Sequence, residues 1–241
     1  MIVLDNIHAT LGGKPVLKGL SLEVAKGESM VVIGASGSGK SVMLKCILGL
    51  MEPQAGTISV DGATVTGTDR QTFLPRFGML FQGAALFDGL RVWENVAFRP
   101  LHDGMVRPEA RALALEKLER VGLPPETADL YPAELSGGMQ KRAGLARAIA
   151  ADPEILFLDE PTTGLDPIMA EKINALLRQL IDETGVTSIT ITHDMASARV
   201  IADRVAYLQD GAIAWTGGKS EMSKADHPGL RAFLSAAIEG H

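Results

Sequence analysis

Residues 34–41 constrain the fold of this chain more than any other segment. They read Gly-Ala-Ser-Gly-Ser-Gly-Lys-Ser, they follow an apolar run at 29–33, and a helical pattern begins at Val42. This is the pattern G-x-x-x-x-G-K-[ST] between a strand and a helix, in which glycines let backbone N–H groups turn toward phosphate oxygens. The helix N-terminus adds positive potential, and a lysine and a hydroxyl serve the outer phosphates and Mg²⁺. A flexible Gly/Ser turn is the alternative, which the strand and helix context disfavours. The predicted nucleotide-binding residues here are Gly34, Ala35, Ser36, Gly37, Ser38, Gly39, Lys40 and Ser41.

The arrangement of apolar runs predicts an α/β fold with a mainly parallel sheet. Apolar strands alternate with amphipathic helices after residue 155, which is typical of parallel sheets covered by helices. Residues 2–65 are rich in short strands with glycine turns, whereas the region at about 88–150 is helical in pattern and interrupts the strands. We therefore predict a single domain, 1–241, in which about 1–87 and 151–241 form the core with a β-subdomain and about 88–150 forms an inserted helical subdomain. Within that insertion, Ala112, Leu115, Leu118 and Val121 have helical spacing.

Polar side chains follow several of the apolar runs, at the point where each run ends. Asp159 and Glu160 follow one run, Gln82 follows a second and His193 follows a third. Because ligands bind beyond the carboxyl ends of strands in open α/β sheets, one nucleotide site can collect all of them. We expect Asp159 to hold the Mg²⁺ shell and Glu160 to orient and deprotonate the attacking water. An acidic turn before Pro161 is the alternative interpretation of this carboxylate pair.

The segment Leu-Ser-Gly-Gly-Met-Gln at 135–140 stands directly before a helical pattern. Ser136, Gly137 and Gly138 at a helix N-terminus form a second predicted anion-binding site. An ordinary helix cap is the alternative. Two phosphate-type sites separated by a helical insertion indicate that two copies of the chain each offer one site to the other's nucleotide.

Charge and composition exclude several classes of protein. The chain carries 23 basic and 29 acidic residues for a net charge of −6, so a nucleic-acid partner is not expected. Cys46 is the single cysteine, which rules out a disulfide framework within the chain. There is no apolar stretch of about 18–20 residues and no signal-peptide pattern at the N-terminus. We therefore expect a cytoplasmic protein that reaches a membrane only through a partner.

Over nearly its whole length the chain resembles the ATPase subunits of ABC transporters. The motifs that carry the resemblance, in order, are the phosphate loop 34–41, Gln82, LSGGM at 135–139, ILFLDE at 155–160, Gly164-Leu165-Asp166, and His193. The resemblance implies a P-loop NTPase fold with a RecA-like core, an antiparallel β-subdomain and a helical subdomain. It also implies two cassettes that sandwich two MgATP, with Ser136, Gly137 and Gly138 on the partner's γ-phosphate.

The same resemblance assigns roles to single residues. It implies that Ser41, Gln82 and Asp159 serve the metal, and that Glu160 and His193 are catalytic.

Several segments are similar to the Mla/Mce type of ABC transporter, which maintains lipid asymmetry. They are Phe81 to Asp88, Val92 to Phe98, YPAELSGGM at 131–139, ARAIAADP at 146–153 and Arg231 to Leu234. This similarity implies an inner-membrane phospholipid transporter with an integral membrane permease, a periplasmic Mce-type lipid-binding subunit and a STAS-domain partner. The ATPase would then lie on the cytoplasmic face of the inner membrane. The alternatives are the ATPase of a polar amino-acid or metal-ion importer, and a soluble ABC ATPase.

The distribution of aromatic residues gives two further expectations. Residues 1–29 contain no Phe, Tyr or Trp, so Leu11 stands where most ABC cassettes place an aromatic against adenine, and His8 is the ring nearby. Six aromatics fall between residues 73 and 98. We expect Phe77 and Phe81 to pack in the core and Phe87 and Trp93 to line a groove for a permease helix.

Overall fold

The computed structural model describes residues 1–65 and 73–239, so residues 66–72 of the predicted range 1–87 lie outside the described part of the chain. The chain divides into two units, one formed by Met1–Leu74 with Ile181–His241 and the other by Pro75–Leu180. The strands are β1 (Ile2–Leu11), β2 (Lys14–Val24), β3 (Ser29–Ile33), β4 (Ala55–Val60), β5 (Ala63–Thr64), β6 (Phe77–Leu80), β7 (Ile155–Asp159), β8 (Thr187–Thr192), β9 (Arg204–Gln209) and β10 (Ala212–Gly218). The α-helices of the described residues are α1 (Lys40–Ile47), α2 (Val92–Val96), α3 (Phe98–His102), α4 (Arg107–Arg120), α5 (Gly137–Ile149), α6 (Pro167–Thr184), α7 (Met195–Ile201) and α8 (Pro228–Glu239).

An antiparallel sheet of order β2-β1-β4-β5 forms the front of the first unit. Strand β2 alternates along its length, with Leu20, Leu22 and Val24 buried and the residues between them exposed. This is the period of a sheet with one face on the core and one in water. The turn between β1 and β2 is made by Gly12 and Gly13 at φ 57° and 77°, where glycine carries no steric penalty. The predicted antiparallel β-subdomain is confirmed.

The central strand of the first unit is β3, all five residues of which are buried. It pairs in parallel with β8 on one side and with β9 on the other, and β10 continues antiparallel to β9. Buried Ser29 is satisfied by Ser188, whose Oγ lies 2.9 Å from its own. The parallel pairing of these apolar strands confirms the predicted α/β class.

In the second unit, β6 pairs in parallel with β7 from Phe77–Ile155 to Leu80–Leu158. The rings of Phe77 and Phe157 meet edge to face at 5.3 Å. Helices α2 to α5 all lie between Val92 and Ile149. The unit therefore extends beyond the helical range predicted from sequence, since it includes this strand pair as well.

Helix α4 lies at the predicted location and buries one of its faces. Ala110, Ala114, Leu118 and Val121 are buried, whereas Ala112 is exposed. The face that packs runs in steps of four from Ala110 to Leu118 and then three to Val121, and small alanines at two of its positions allow close approach of α2 and α5. The apolar spacing predicted the helix, and the structure shows that Ala112 lies on its exposed side.

No helix among the described residues combines the length and apolar character required to cross a bilayer.

Candidate active site

The phosphate loop joins the buried strand β3 to helix α1. Ala35, Ser36 and Gly37 in its middle are exposed, and Gly39 caps the helix in the left-handed conformation at φ 114°. Gly39 has no side chain with which to cap the first turn of α1, so this turn presents backbone N–H groups suited to an anion.

Gly34 starts this loop where another chain segment passes very close. A Cβ at this position would lie 2.4 Å from the carbonyl oxygen of Leu208 and 2.9 Å from Ser38 Oγ. Any residue other than glycine at position 34 would therefore displace the backbone of the loop or of Leu208. The first glycine of the motif is explained by this contact with β9.

The Lys40 side chain is buried at the start of α1, where it is 8% exposed. Its Nζ donates to the carbonyl oxygens of Gly34 at 2.7 Å and Ala35 at 3.0 Å. These bonds hold an ammonium group against the loop itself. Because hydrogen bonds to a charged phosphate are stronger than those to neutral carbonyls, Lys40 can exchange these partners for a phosphate oxygen.

Ser38 supports the assignment of this loop to a phosphate ligand. Its Oγ is buried and has no hydrogen-bond partner within the described part of the chain. Buried hydroxyls are satisfied in most native structures, so an unsatisfied one indicates a missing group. A nucleotide phosphate provides the acceptor that this hydroxyl needs, and the loop residues present therefore fit ATP.

His193 leaves the same sheet edge as the phosphate loop. Ile33 of β3 and Thr192 of β8 are register partners in the parallel ladder, so Gly34 and His193 are the next residues of their two strands. The His193 side chain is exposed. The turn behind it is fixed, because Asp194 donates its N–H to Thr192 Oγ1 at 3.0 Å and caps α7 with its carboxylate.

In the second unit, parallel pairing of β6 and β7 places Gln82, Asp159 and Glu160 at the same edge of the strand pair. Leu80 of β6 and Leu158 of β7 are register partners, so all three residues follow one edge of this strand pair. Gln82 is exposed and Asp159 is half-buried.

Glu160 is held in a conformation that the sequence does not reveal. Its φ is 49°, a left-handed value that is uncommon outside glycine, and its side chain is 9% exposed. Thr163 donates its hydroxyl to Glu160 Oε2 at 2.9 Å. Strained backbone of this kind persists where the surroundings fix it and is concentrated at functional sites.

Sequence reasoning missed Lys141, which joins two of the predicted site residues. Its Nζ donates to the backbone carbonyl of Glu160 at 3.1 Å and to that of Gln82. Burial lowers the pKa of Lys141, while the nearby carboxylates of Glu160 and Asp159 act in the opposite direction. A lysine two residues after Met139 carries no sequence signal by itself, since its partners are distant in the chain.

The segment at 135–139 forms the N-terminus of α5. Ser136 is the cap residue, and its Oγ accepts from the N–H of Met139 at 3.3 Å. The helix-cap interpretation is therefore realised in this structure. Ser136 and Gly137 are exposed and remain accessible, while a Cβ at Gly138 would lie 2.6 Å from Met169 Cε.

Two of the four expectations about aromatics are wrong. Trp93 is buried at 6% exposure, with the Arg107 guanidinium 4.9 Å from its ring centre, so it belongs to the core of the helical region. Phe81, expected in the core, is exposed, because it follows the last residue of β6. Phe77 packs on Phe157 as expected. Phe87 is 45% exposed and stacks on Phe98 with ring centres 4.5 Å apart.

The hairpin that carries Leu11 lies next to the phosphate loop. Leu11 is 51% exposed and pairs with Lys14 across the β1–β2 turn. Leu17, three residues after Lys14 on β2, lies close to Gly39 of the phosphate loop. A Cβ at Gly39 would lie 2.9 Å from Leu17 Cδ2. His8 is exposed, and its Nε2 lies 3.2 Å from Asn6 Oδ1.

Comparisons with known proteins identify the family of this chain. A family profile described as ABC transporter matches residues 17–163. The chain is similar to the "Methionine import ATP-binding protein MetN" of Carboxydothermus hydrogenoformans, with 39% identity over 245 residues that cover 99% of this chain and 72% of the relative. It is also similar to the "Arginine transport ATP-binding protein ArtM" of Bacillus subtilis, with 38% identity over 227 residues that cover 92% of each chain.

Solved structures give the same family. The dimeric cassette MJ0796 bound to ADP and Pi is 35% identical, with a TM-score of 0.81 and coverage of 91% of this chain and 99% of that chain. The protein cbiO1 of Clostridium perfringens, part of the ABC transporter complex cbiONQ, is 26% identical, with a TM-score of 0.83 and coverage of 98% and 92%. The chain has the predicted ABC cassette fold. It belongs to the ABC transporter family, as an ATPase that uses ATP with Mg²⁺ and couples hydrolysis to transport.

Proposed function

We propose that this chain is the ATPase subunit of an amino-acid importer and works at the cytoplasmic face of a membrane with an integral permease. The names of the relatives favour this cargo, because the methionine and arginine ATP-binding proteins are 38–42% identical over most of the chain. The observation that carries the catalytic part is the clustering of predicted site residues at strand ends, where Ile33 pairs with Thr192 and Leu80 pairs with Leu158.

In the first unit, the phosphate loop binds and orients the nucleotide. The uncapped N–H groups of α1 and the Ser38 hydroxyl would hold phosphate oxygens, and Lys40 would turn from its loop carbonyls to the outer phosphates. Ser41, with Gln82 and Asp159, would hold Mg²⁺. The ion, when bound, would neutralise the charge that develops on the phosphate oxygens.

Glu160 would accept a proton from the attacking water at its carboxylate. The Thr163 hydroxyl donates to one oxygen of this carboxylate and so helps to orient it. His193 would donate a hydrogen bond to the outermost phosphate from the turn fixed by Asp194.

We further propose that two copies close around two nucleotides, with Ser136, Gly137 and Gly138 on the partner's γ-phosphate. The exposure of Ser136 and Gly137 at the N-terminus of α5 supports this arrangement. Two of the similar solved structures are themselves dimers, with TM-scores of 0.81 and 0.82.

A second candidate cargo is phospholipid. The segments Phe81 to Asp88, Val92 to Phe98 and 131–139 favour it, since they are similar to the Mla/Mce type. Mce-type and STAS-domain partners belong to this candidate. The names of the relatives support the amino-acid alternative better than lipid transport.

Reconstitution distinguishes the two cargoes. The chain is purified with its membrane partner, placed in vesicles, and supplied with ATP and Mg²⁺, and a complex carrying Glu160→Gln serves as the control. Uptake of labelled methionine or arginine that the control lacks supports the amino-acid importer. Transfer of labelled phospholipid without amino-acid uptake contradicts it in favour of the second candidate.

A further inference from the structure

One face of α5 holds the loop that follows β6. Lys141, Gly144 and Arg147 stand at intervals of three residues on this helix, and each meets the loop at 82–87. A Cβ at Gly144 would lie 3.1 Å from the Cβ of Ala84, so the absence of a side chain lets helix and loop approach closely. Residues three apart lie on the same side of a helix, which makes this a continuous contact.

Arg147 fixes the middle of this loop. Its guanidinium donates to the carbonyl oxygens of Ala84 at 2.7 Å and Ala85 at 2.6 Å, and it stands 5.9 Å from the ring centre of Phe87. Ala84 and Ala85 have φ values of 58° and 49°. Two successive left-handed residues that are not glycine need external partners to persist, and Arg147 provides them.

Lys141 fixes the start of the same loop and the predicted base. One of its N–H groups goes to the carbonyl of Gln82 and another to that of Glu160 at 3.1 Å. Glu160, whose carbonyl accepts this hydrogen bond from Lys141, is the residue with left-handed φ. The bond therefore helps to fix the backbone that orients the Glu160 side chain.

We propose that Lys141 is a positioning residue for hydrolysis, which fixes Glu160 relative to the loop at 82–87 and to helix α5. Arg147 holds the rest of that loop to the same helix. A displacement of α5 at Ser136 is thereby transmitted to the predicted base and to Phe87. The proposal rests on the assignment of Glu160 as the base.

The test measures ATP turnover of the full chain carrying Lys141→Met or Lys141→Arg. We expect kcat of Lys141→Met to fall about 10- to 100-fold while KM for ATP changes by less than about threefold, since the hydrogen bonds of Lys141 go to the carbonyl groups of Gln82 and Glu160. Lys141→Arg keeps two donors for two carbonyls and is expected to restore kcat to within about threefold of the native value.

Lys117→Met is the matched control. Lys117 is also a buried lysine in the Pro75–Leu180 unit, but it pairs with Asp152 at 2.8 Å. Its loss is expected to lower the melting temperature and leave kcat of the folded protein unchanged. Equal losses of kcat in Lys117→Met and Lys141→Met, or equal losses in the two Lys141 variants, overturn the proposal.

Amide hydrogen exchange gives a second measurement that does not depend on turnover. We expect the peptide covering residues 82–87 to exchange at least about tenfold faster in Lys141→Met than in Lys117→Met, because the loop loses the hydrogen bond from Lys141 to the carbonyl of Gln82. Unchanged exchange overturns the proposal. Normal turnover in Glu160→Gln contradicts the assignment of the base instead, and neither result depends on the transported cargo.

Discussion

Ile33 and Thr192 are register partners in the parallel ladder between β3 and β8, and Gly34 and His193 are the residues that follow them. The phosphate loop and the histidine therefore begin at the same level of one sheet edge, although 159 residues separate them in the chain. Parallel pairing produces this arrangement because it aligns the carboxyl ends of the strands.

Glu160→Gln is expected to lower ATP hydrolysis by about 10²- to 10⁴-fold and to leave ATP binding intact, because the amide cannot accept the proton of the attacking water. Turnover and nucleotide affinity of the purified chain are the measurements. Glu154→Gln is the matched control, since Glu154 forms an exposed ion pair with Arg76. Near-normal turnover in Glu160→Gln would falsify the role of the glutamate.

Lys40→Met is expected to weaken ATP binding by about 10- to 100-fold, since a hydrogen bond to a charged group contributes about 1.5–3 kcal/mol. Lys45→Met removes an exposed lysine from the same helix and is expected to change affinity by less than about threefold. Titration of both variants with ATP makes the comparison. Equal affinities of the two variants are incompatible with Lys40 as a phosphate ligand.

Phe87→Ala and Trp93→Ala are expected to have different effects. Loss of buried Trp93 leaves a cavity and is expected to destabilise the fold by about 3–5 kcal/mol. Loss of half-exposed Phe87 is expected to leave the fold intact and to abolish copurification with the membrane partner, because exposed aromatics anchor interfaces. Denaturant unfolding and affinity purification report the two effects. Retention of the partner by Phe87→Ala rules out this docking role.

ATP and GTP are expected to bind within about tenfold of each other, a difference of about 1.4 kcal/mol, because exposed Leu11 offers the base no aromatic ring. Stacking on a ring contributes about 1–3 kcal/mol per base in nucleic-acid binders, so Leu11→Tyr is expected to tighten binding. Leu11→Ala is the control without a ring. A hundredfold preference of the native chain for ATP contradicts this prediction.

Cys46 is expected to resist alkylation in the folded protein. Burial raises the pKa of its thiol to about 11, so the reactive thiolate is scarce at pH 8. Because the unfolded thiol ionises at lower pH than the folded one, the stability from this group is present below about pH 9 and is lost as the pH rises toward 11. Labelling with iodoacetamide at pH 8, with and without denaturant, measures the protection. Rapid labelling of the native chain would show that the thiol is accessible.

The sequence alone determined the elements of this protein and most of its predicted site. The phosphate-loop pattern at 34–41 needs only consecutive residues and a strand and helix on either side, so it can be read without knowledge of packing. The fully apolar runs that became β3 and β7 likewise identified buried parallel strands. Polar residues that follow such strands were predicted to converge because parallel pairing aligns strand ends, and this places His193 with Gly34 and Gln82 with Glu160 within their respective units.

Tertiary structure decided the features that depend on residues distant in the chain. Lys141 lies 59 residues from Gln82 and 19 from Glu160, and no local pattern marks it as their partner. The left-handed backbone of Glu160 depends on the groups packed around it rather than on its own preference. Trp93 became core and Ala112 became surface for the same reason, since periodicity predicts a helix but the neighbouring elements determine which face is buried.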